Sequence, residues 1–479
     1  MNYSIIRYIL GWICNFEAAF MLLPLITSIV RHEPEGWSFV ITMGICLLIG
    51  MPLTFRKPKN MVYYTAESMV TVSLSWIVLS VLGALPFLFA GVLTNPFDAV
   101  FETVSGFTTT GASIFSSVED LPHCINVWRC FTHWVGGMGV LVFILSLLPL
   151  TGGAHMNLMR AESPGPSVER MLPKVRTTAA ILYKIYIAIT AAMMVLLTLE
   201  GMPFYDTMCI SFGTAGTGGF GVLNASCGAY TPLQQMTIAV FMILFGVNFN
   251  AYFLIVMKNI RGAWSSEEPR AYLTIIAVSV GIITLNILHL CQNAGEAFRK
   301  AFFQVAAIIT TTGFSTADFD LWPPLSKTIL VILMLCGACA GSTGGGFKVS
   351  RLVILFKSMH KEILLFLHPN MVHKIKMDGK TVEHDTVRSI NVFMIAYVLI
   401  FVISVLLVSL DEWDLVTNFT AVAATFNNIG PGLSMVGPTC NFAFFSNFSK
   451  VILILDMLAG RLEIFPMLVL FYPGTWRKH

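Results

Sequence analysis

The sequence is poor in charged residues. Of its 479 residues, 11% are Asp, Glu, Lys or Arg, whereas a soluble domain carries about 25%. Hydrophobic residues make up 56% of the chain. This composition excludes a soluble protein, and we expect membrane lipid as the surroundings and no nucleic-acid partner.

The sequence also lacks the clusters that catalysis or metal binding needs. Cys336 and Cys339 form a C-x-x-C without a second pair or a nearby His, so we assign the cysteines no chemistry. His133 and His289 stand alone near the ends of apolar runs, where an interfacial role is predicted. We therefore predict that the chain is not an enzyme.

What the chain does have is apolar runs of spanning length, from end to end. A membrane helix needs about 20 such residues. The runs cover 5–30, 37–53, 68–93, 128–150, 178–199, 235–257, 271–291, 327–356, 389–410 and 448–472. The first run has no A-x-A-like cleavage site, so it is read as a retained helix and not as a signal peptide. The sequence predicts an all-α polytopic membrane protein.

The few charges are unevenly distributed between the loops. Basic residues cluster in alternate loops, at 56–59, 160–176, 258–270, 357–388 and 477–478. The positive-inside rule places these loops and both termini in the cytoplasm. The opposite loops are mainly acidic, and an outer face of that sign concentrates cations.

Four similar segments lie between paired runs. They read "NPFDAVFETVSGFTTTG", "MPFYDTMCISFGTAGTGGFG", "EAFRKAFFQVAAIITTTG" and "EWDLVTNFTAVAATFNNIGPG". Aligning Gly111, Gly219, Gly313 and Gly430 also aligns Ala99, Thr207, Ala301 and Asn418, twelve residues upstream. The chain after residue 67 therefore repeats one unit four times: helix, short re-entrant helix, glycine loop and helix. Four such loops meet on one axis only if the units surround it.

The repeat predicts a central pore, with two additional N-terminal helices outside it. We divide the chain into 1–60 for those two helices, then 61–155, 156–262, 263–362 (with a broken second helix) and 363–479 for the four repeats. Irregular backbone at membrane depth is tolerated only where protein buries it or where it lines a cavity. Loop carbonyls can replace the hydration shell of a cation. Each short helix points its negative C-terminal end toward the same axis.

The four motifs TTTGAS, TGGFG, TTTGFST and NNIGPG, in this order, resemble the filter loops of the Trk, Ktr and HKT superfamily of potassium uptake proteins. The two N-terminal helices make the chain similar to the TrkH type and not to the shorter KtrB type. The resemblance covers essentially the whole chain. It implies uptake of K⁺ driven by the membrane potential across a bacterial cytoplasmic (inner) membrane.

The resemblance also implies ligands and partners. The K⁺-coordinating residues would be Thr109, Thr110, Gly111, Thr217, Gly218, Gly219, Thr311, Thr312, Gly313, Asn428, Ile429 and Gly430. Relatives that prefer Na⁺ have serine at the first filter glycine, so Gly111 favours K⁺. Family members are homodimers that work with a cytosolic TrkA-type regulatory subunit, which binds NAD or ATP. Because loops two and four depart from Thr-Thr-Gly, selectivity for K⁺ over Na⁺ is expected to be less sharp.

The segment "GACAGSTGGGFKVSR" interrupts the second helix of the third repeat. Phe347 breaks a G-K-[ST] ending and no strand precedes it, so we predict no nucleotide site on this chain. Close packing through Gly337 and Gly341 is one alternative, but three successive glycines favour a broken helix. Such a break must face protein or water, beneath the filter. The resemblance implies a gating loop that includes Gly341, Gly344, Gly345, Gly346 and Lys348.

Arg461 is a basic residue that lies deep inside the last apolar run. A charge there costs about 2.5 to 3.5 kcal/mol on insertion scales. Either it forms a structural pair with Asp456 or Glu463, or it faces the pore and raises the barrier to K⁺. Two other classes compete with a pore: an H⁺- or Na⁺-coupled symporter, which predicts inverted repeats, and a membrane enzyme, which predicts convergent acids and histidines.

Overall fold

A computed structural model describes residues 1–58, 64–139, 175–371 and 374–476. Several predictions lie outside these residues: the basic cluster at 160–174, Lys59, the chain's last three residues, the end of the run 128–150 and the repeat boundaries at 60/61 and 155/156. The described helices are α1 (Tyr3–Phe20), α2 (Leu22–Arg31), α3 (Gly36–Phe55), α4 (Thr65–Phe89), α5 (Pro96–Phe107), α6 (His123–Gly137), α7 (Val175–Leu199), α8 (Phe204–Gly216), α9 (Pro232–Gly246), α10 (Phe249–Val256), α11 (Ile260–Ser265), α12 (Glu267–Ile287), α13 (Ala294–Ile309), α14 (Pro324–Cys336), α15 (Val349–Leu367), α16 (His384–Val408), α17 (Leu415–Phe426), α18 (Asn447–Arg461) and α19 (Phe465–Phe471). Strands β1 (Lys376–Met377) and β2 (Lys380–Thr381) form one antiparallel hairpin.

The second helix of the repeats is interrupted more often than the apolar runs predict. Within the described ranges, six helices are long and apolar enough to cross a membrane: α1 with α2, then α3, α4, α7, α12 and α16. The bent pair α9 and α10 makes a seventh, with an angle of 89° between its parts. Of the other predicted runs, 327–356 and 448–472 are each divided between two helices, and 128–150 is described only as far as residue 139. A break is expected only between α14 and α15, yet α9/α10 and α18/α19 are broken as well.

The breaks follow from local backbone chemistry. Asn248 caps α10 by accepting a hydrogen bond from the amide of Asn250 at 2.8 Å. Glu463 and Ile464, between α18 and α19, both have positive φ, which right-handed helix excludes. Each interrupted helix thus leaves irregular backbone inside the protein, close to the loops that follow the short helices.

The short helices α5, α8, α13 and α17 are 12 to 16 residues long and occupy the centre of the molecule. Their C-terminal halves are largely buried and consist mainly of apolar, small and hydroxyl residues, with Glu102 and Gln304 as the exceptions. Three of them begin at a polar cap, since Asn95, Asn293 and Asp414 accept hydrogen bonds from the first turn. Polar residues thus begin these helices near the surface, and the buried C-terminal ends of the four helices lie in the interior.

An acidic loop adds polar contacts to the packing of the N-terminal helices against the first repeat. Glu33, between α2 and α3, accepts hydrogen bonds from the amides of His123 and Cys124, both at 2.8 Å, and so caps α6. Partial burial works to raise the pKa of Glu33, but the bonds from Cys124 and His123 outweigh it and hold the pKa below its ordinary value. The cap favours the ionised carboxylate at neutral pH.

The first and fourth repeats are joined by a buried ion pair. Lys450, in the first turn of α18, is 4% exposed, and its ammonium lies 2.6 Å from the carboxylate of Asp98 in α5. Beside this pair, the side-chain amide of Asn95 donates to the side-chain oxygen of Asn447 at 2.9 Å. These contacts link segments 352 residues apart.

We expect Lys450→Met to destabilise the protein by about 3 kcal/mol, because it leaves Asp98 as an unpaired, largely buried charge. Thermal unfolding in detergent measures this. Adding Asp98→Asn to the same variant removes the second charge and should recover most of the loss. A single variant as stable as the parent would contradict a structural role for the pair.

Candidate ion-conducting site

The loops after the four short helices share one backbone conformation. Their first residues have φ between +55° and +60°, and their glycines have φ between +79° and +93°. The first residues are Thr109, Thr217, Thr311 and Asn428, and the glycines are Gly111, Gly219, Gly313 and Gly430. Positive φ is rare for a β-branched residue and marks strain, which concentrates at functional sites.

Each strained residue belongs to a Schellman cap that ends its short helix. The amide of Thr109 donates to Gly106, three residues back, and the amide of Thr110 donates to Ser105, five residues back, at 3.1 and 2.8 Å. The other three loops repeat this pair of bonds, with 2.8 to 3.2 Å between nitrogen and oxygen. A helix terminus that usually takes glycine therefore carries threonine or asparagine here.

The four loops close into a ring. A Cβ atom placed on each of these four glycines would collide with the carbonyl oxygen of the residue before the glycine in the next loop. The separations would be 1.9 Å from Gly111 to Gly218, 2.1 Å from Gly219 to Thr312, 1.9 Å from Gly313 to Ile429 and 2.8 Å from Gly430 to Thr110. Each loop thus contacts the next one in chain order, and loop four contacts loop one, so the ring is closed. All twelve residues predicted from the motifs thus come together.

Loops two and four lack the Thr-Thr-Gly sequence of the other two loops. In loop two, Gly218 takes the place of the second threonine. The His133 ring lies where a side chain on Gly218 would be, 2.3 Å from a Cβ built there. His133 is 0% exposed, its Nδ1 is 2.7 Å from the Gly106 carbonyl, and its Nε2 accepts from the amide of Phe220 at 3.2 Å. The predicted interfacial role of His133 is wrong, whereas His289 lies exposed after α12.

In loop four, asparagine takes the place of the first threonine, and the side chain of Asn428 connects the loop to its surroundings. Its amide nitrogen donates to the Thr110 hydroxyl at 3.0 Å and to the Met457 carbonyl at 2.9 Å. Loops one and four are thereby fastened to each other and to α18. The chemical unevenness visible in the motifs is compensated by specific contacts behind the ring.

A buried ion pair supports the mouth of the ring. Arg129 in α6 is 3% exposed and pairs with Glu102 in α5. Arg129 also donates to the Gly221 carbonyl at 3.3 Å and to the Ser113 hydroxyl at 3.2 Å, and Glu102 accepts from the amide of Ile114 at 2.8 Å. The pair fixes the segments that follow loops one and two, and Arg129 lines the cavity above the ring. Both residues were missed, although a charge inside an apolar stretch is the signal that identified Arg461.

The glycine-rich segment 337–348 lies against the other side of the ring. The amide of Gly345 donates to the Thr311 hydroxyl at 2.6 Å. A Cβ on Gly344 would lie 2.8 Å from the Thr310 carbonyl, and one on Gly345 2.4 Å from that of Asn427. The segment is therefore packed against loops three and four without room for side chains. Gly341 and Gly346 have positive φ, as does Lys348, whose ammonium donates to the carbonyl of Gly344.

Arg461 connects this segment to the first repeat. Its guanidinium donates to the carbonyls of Thr343 at 2.8 Å and of Gly136 and Gly137, both at 2.6 Å. The two acids considered as its partners have other contacts: Glu463 pairs with Arg351, and Asp456 accepts from the Ser404 hydroxyl at 2.6 Å. The arginine therefore lies directly beneath the ring, beside the glycine-rich segment.

These features define the class of the protein: an all-α polytopic membrane protein with four pseudosymmetric helix–loop–helix repeats around one centre and two additional N-terminal helices. The described residues contain no group of three or more His, Cys, Asp or Glu side chains that could hold a metal ion. All ten cysteines, which fall within the described ranges, are free.

The chain belongs to the TrkH family of cation transport proteins, whose model matches residues 36–477. It is 36% identical to the Trk system potassium uptake protein TrkH of Salmonella typhimurium over 487 aligned positions, covering 100% of both chains. The TrkH of Escherichia coli K12 gives the same identity and coverage. The crystal structure of the potassium transporter TrkH from Vibrio parahaemolyticus matches with a TM-score of 0.90, 32% identity and full coverage of both chains. The predicted family and fold class are confirmed.

The geometry of loop two yields a test. We expect Gly218→Thr to abolish most cation flux, because its side chain would overlap the His133 ring. Combining it with His133→Ala opens that space and should restore part of the flux. Flux in proteoliposomes measures both variants. His133→Ala alone separates the loss of the histidine from the relief of the clash, and a double variant no better than Gly218→Thr would contradict the explanation.

Proposed function

We propose that this protein conducts K⁺ into the cell through the ring of four loops, driven by the membrane potential. The observation that carries the proposal is the closed ring of four congruent strained loops. Its twelve residues, from Thr109 to Gly430, would supply the oxygens that replace the ion's hydration shell. The related proteins are potassium uptake proteins by name.

Electrostatics supports a cation as the substrate. All four short helices end at the ring, and each C-terminus carries roughly half a negative elementary charge. The positive charge of Arg129 is paired with Glu102, so the approach to the ring is not left with a bare cation. Transport of this kind needs no catalytic residue, in keeping with a protein that is not an enzyme.

The glycine-rich segment and Arg461 would form the gate. Gly341, Gly344, Gly345, Gly346 and Lys348 belong to irregular backbone in the ion's path on the side opposite the mouth. Arg461 adds a positive charge at the same level. Either element raises the barrier to a cation that leaves the ring, and displacement of the segment would lower it.

The surroundings and partners are inferred from the family. We infer a homodimer in the bacterial inner membrane, with both termini in the cytoplasm and a TrkA-type regulatory subunit that binds NAD or ATP on the cytosolic side. The repeats would occupy 61–155, 156–262, 263–362 and 363–479, after the N-terminal helices in 1–60. K⁺ is then the transported ion, and no nucleotide binds this chain.

Replacing Gly111 by serine tests the filter. Gly111 has φ +81°, which is strained for serine, and the new side chain would collide with the Gly218 carbonyl. We therefore expect both K⁺ uptake and the ratio of K⁺ to Na⁺ uptake to fall. Uptake of radioactive rubidium and sodium into vesicles with a verified inside-negative potential measures this ratio.

The matched control is Gly201→Ser, because Gly201 has φ +82° and open space around it. It carries the same backbone strain outside the ring and should leave the ratio unchanged. Equal ratios for both variants would contradict the assigned filter. Uptake by the parent protein that requires an H⁺ or Na⁺ gradient would favour a coupled symporter.

Substitution of Arg461 tests the gate. Arg461→Ala removes both the charge and the bond to Thr343, and we expect higher conductance with unchanged selectivity. Arg461→Lys retains the charge but not the fork that reaches three carbonyls. Single-channel or vesicle flux measurements then separate the two causes: low flux in the lysine variant indicates the charge, and high flux indicates the bonds. Unchanged flux in the alanine variant would remove Arg461 from the gate.

A further inference from the structure

A buried carboxylate bonds to backbone on both sides of the glycines that pack against the ring. Glu268, in the first turn of α12, is 4% exposed. Its Oε1 accepts hydrogen bonds from the amide of Ala340 at 2.6 Å and from that of Ser350 at 3.1 Å. Its Oε2 accepts from the side chain of Asn248 at 3.3 Å. One oxygen thus bridges two amides that lie ten residues apart, on either side of the residues packed against the ring.

The break in the second repeat holds the same segment from another direction. The amide of Cys339 donates to the Gly246 carbonyl at 3.1 Å, and the amide of Phe249 donates to the Gly341 carbonyl at 3.0 Å. These are neutral backbone bonds, whereas the bonds to Glu268 are charge-assisted and about twice as strong. The two limbs of the segment are also bonded directly to each other, since the amide of Lys348 donates to the Cys336 carbonyl and the amide of Val349 to the Ala338 carbonyl, both at 3.0 Å. Glu268 therefore fastens a closed loop to α12, and releasing it would free that loop as one unit.

The helix that carries Glu268 is capped by the β1–β2 hairpin. Asp378 and Gly379, at the tip, have φ of +52° and +76°, the values of a tight type I′ turn. The Asp378 carboxylate accepts from the amide of Glu267 at 2.6 Å and from the Ser266 hydroxyl at 3.3 Å. The side chain of Ser266, the cap position of α12, accepts no capping bond itself.

A second contact ties the hairpin to the helix that follows the segment. The ammonium of Lys357, in α15, pairs with Glu267 and donates to the carbonyl of Lys376 at 2.7 Å. The amide of Asp378 donates back to Glu267 at 3.2 Å. The exposed hairpin is therefore bonded to the residue immediately before Glu268, and also to α15.

We propose that Glu268 is the latch that holds the glycine-rich segment against the ring, and that the hairpin 376–381 is the element through which a force on the cytosolic surface releases it. The proposal rests on the gating role given to this segment above. Pulling the hairpin away removes the cap of α12 and shifts Glu268, which lies in the same first turn. Both limbs of the segment then lose their shared acceptor. Glu268 acts through the segment and does not touch the ion.

The first experiment compares Glu268→Gln with Glu362→Gln in vesicles without a regulatory partner. Both variants remove one negative charge from the same half of the molecule, but Glu362 is exposed on α15. We expect Glu268→Gln to raise flux about tenfold, because the neutral glutamine oxygen turns the charge-assisted bonds from the amides of Ala340 and Ser350 into weaker neutral ones. The ratio of K⁺ to Na⁺ uptake should not change, since the ring is untouched. Equal flux in the two glutamine variants and the parent would overturn the latch.

The second experiment tests the hairpin and guards against misfolding of the first variant. Asp378→Ala alters an exposed turn and should raise flux several-fold, with selectivity again unchanged. If Glu268→Gln does not insert, this variant decides: a rise supports the proposal and parental flux overturns it.

Deletion of residues 341–348 separates the two levels of inference. If the deletion raises flux and Glu268→Gln does not, the segment is the gate and the latch is wrong. If the deletion also leaves flux unchanged, the gating role itself fails, and the latch with it. The filter assignment is untouched by either result, because it depends on the Gly111→Ser ratio.

Discussion

The structure depends on one constraint: backbone that leaves the helix at membrane depth must find all its hydrogen-bond partners inside the protein. The four loops satisfy it with the same device, a Schellman cap that returns two loop amides to the helix just ended. This device demands positive φ at the first loop residue. The strain at Thr109 and its three counterparts is the conformational cost of ending a helix in the middle of a membrane protein.

The interrupted second helices answer the same constraint. A Cβ on Gly136 would lie 1.8 Å from the Phe107 carbonyl, and one on Gly460 would lie 2.1 Å from the Phe426 carbonyl, the equivalent place in the fourth repeat. The second helices approach the loops so closely that only hydrogen fits between them. Where they turn away, their own freed backbone bonds to the glycine-rich segment and to Arg461. The ring of four loops and the glycine-rich segment are therefore parts of one continuous hydrogen-bonded network.

The four loops and their common position were predictable because the sequence itself repeats. Four glycines at matching positions gave the loops, the ring and the place of each predicted ligand, and three successive glycines gave the break at 344–346. The breaks at 247–248 and 462–464 were not predicted, because hydropathy averaged over a whole apolar run conceals a single polar residue such as Asn248 or Glu463. The contacts of Glu102 and Glu268 were not predicted, because their partners lie on other elements, 11 to 27 residues away for Glu102 and up to 82 for Glu268, and a single sequence does not reveal such contacts. His133 was misplaced because proximity to the end of an apolar run says nothing of what packs around it.

The contact between Asp98 and Lys450 has a consequence for biosynthesis. The two residues are 352 positions apart, and a ribosome adds roughly 5 to 20 residues per second. On the order of half a minute therefore passes between the synthesis of Asp98 and that of Lys450. During that time Asp98 faces its surroundings without the lysine, and the ring stays open on one side. The ring of four loops can therefore close only after the fourth repeat has been synthesised and inserted.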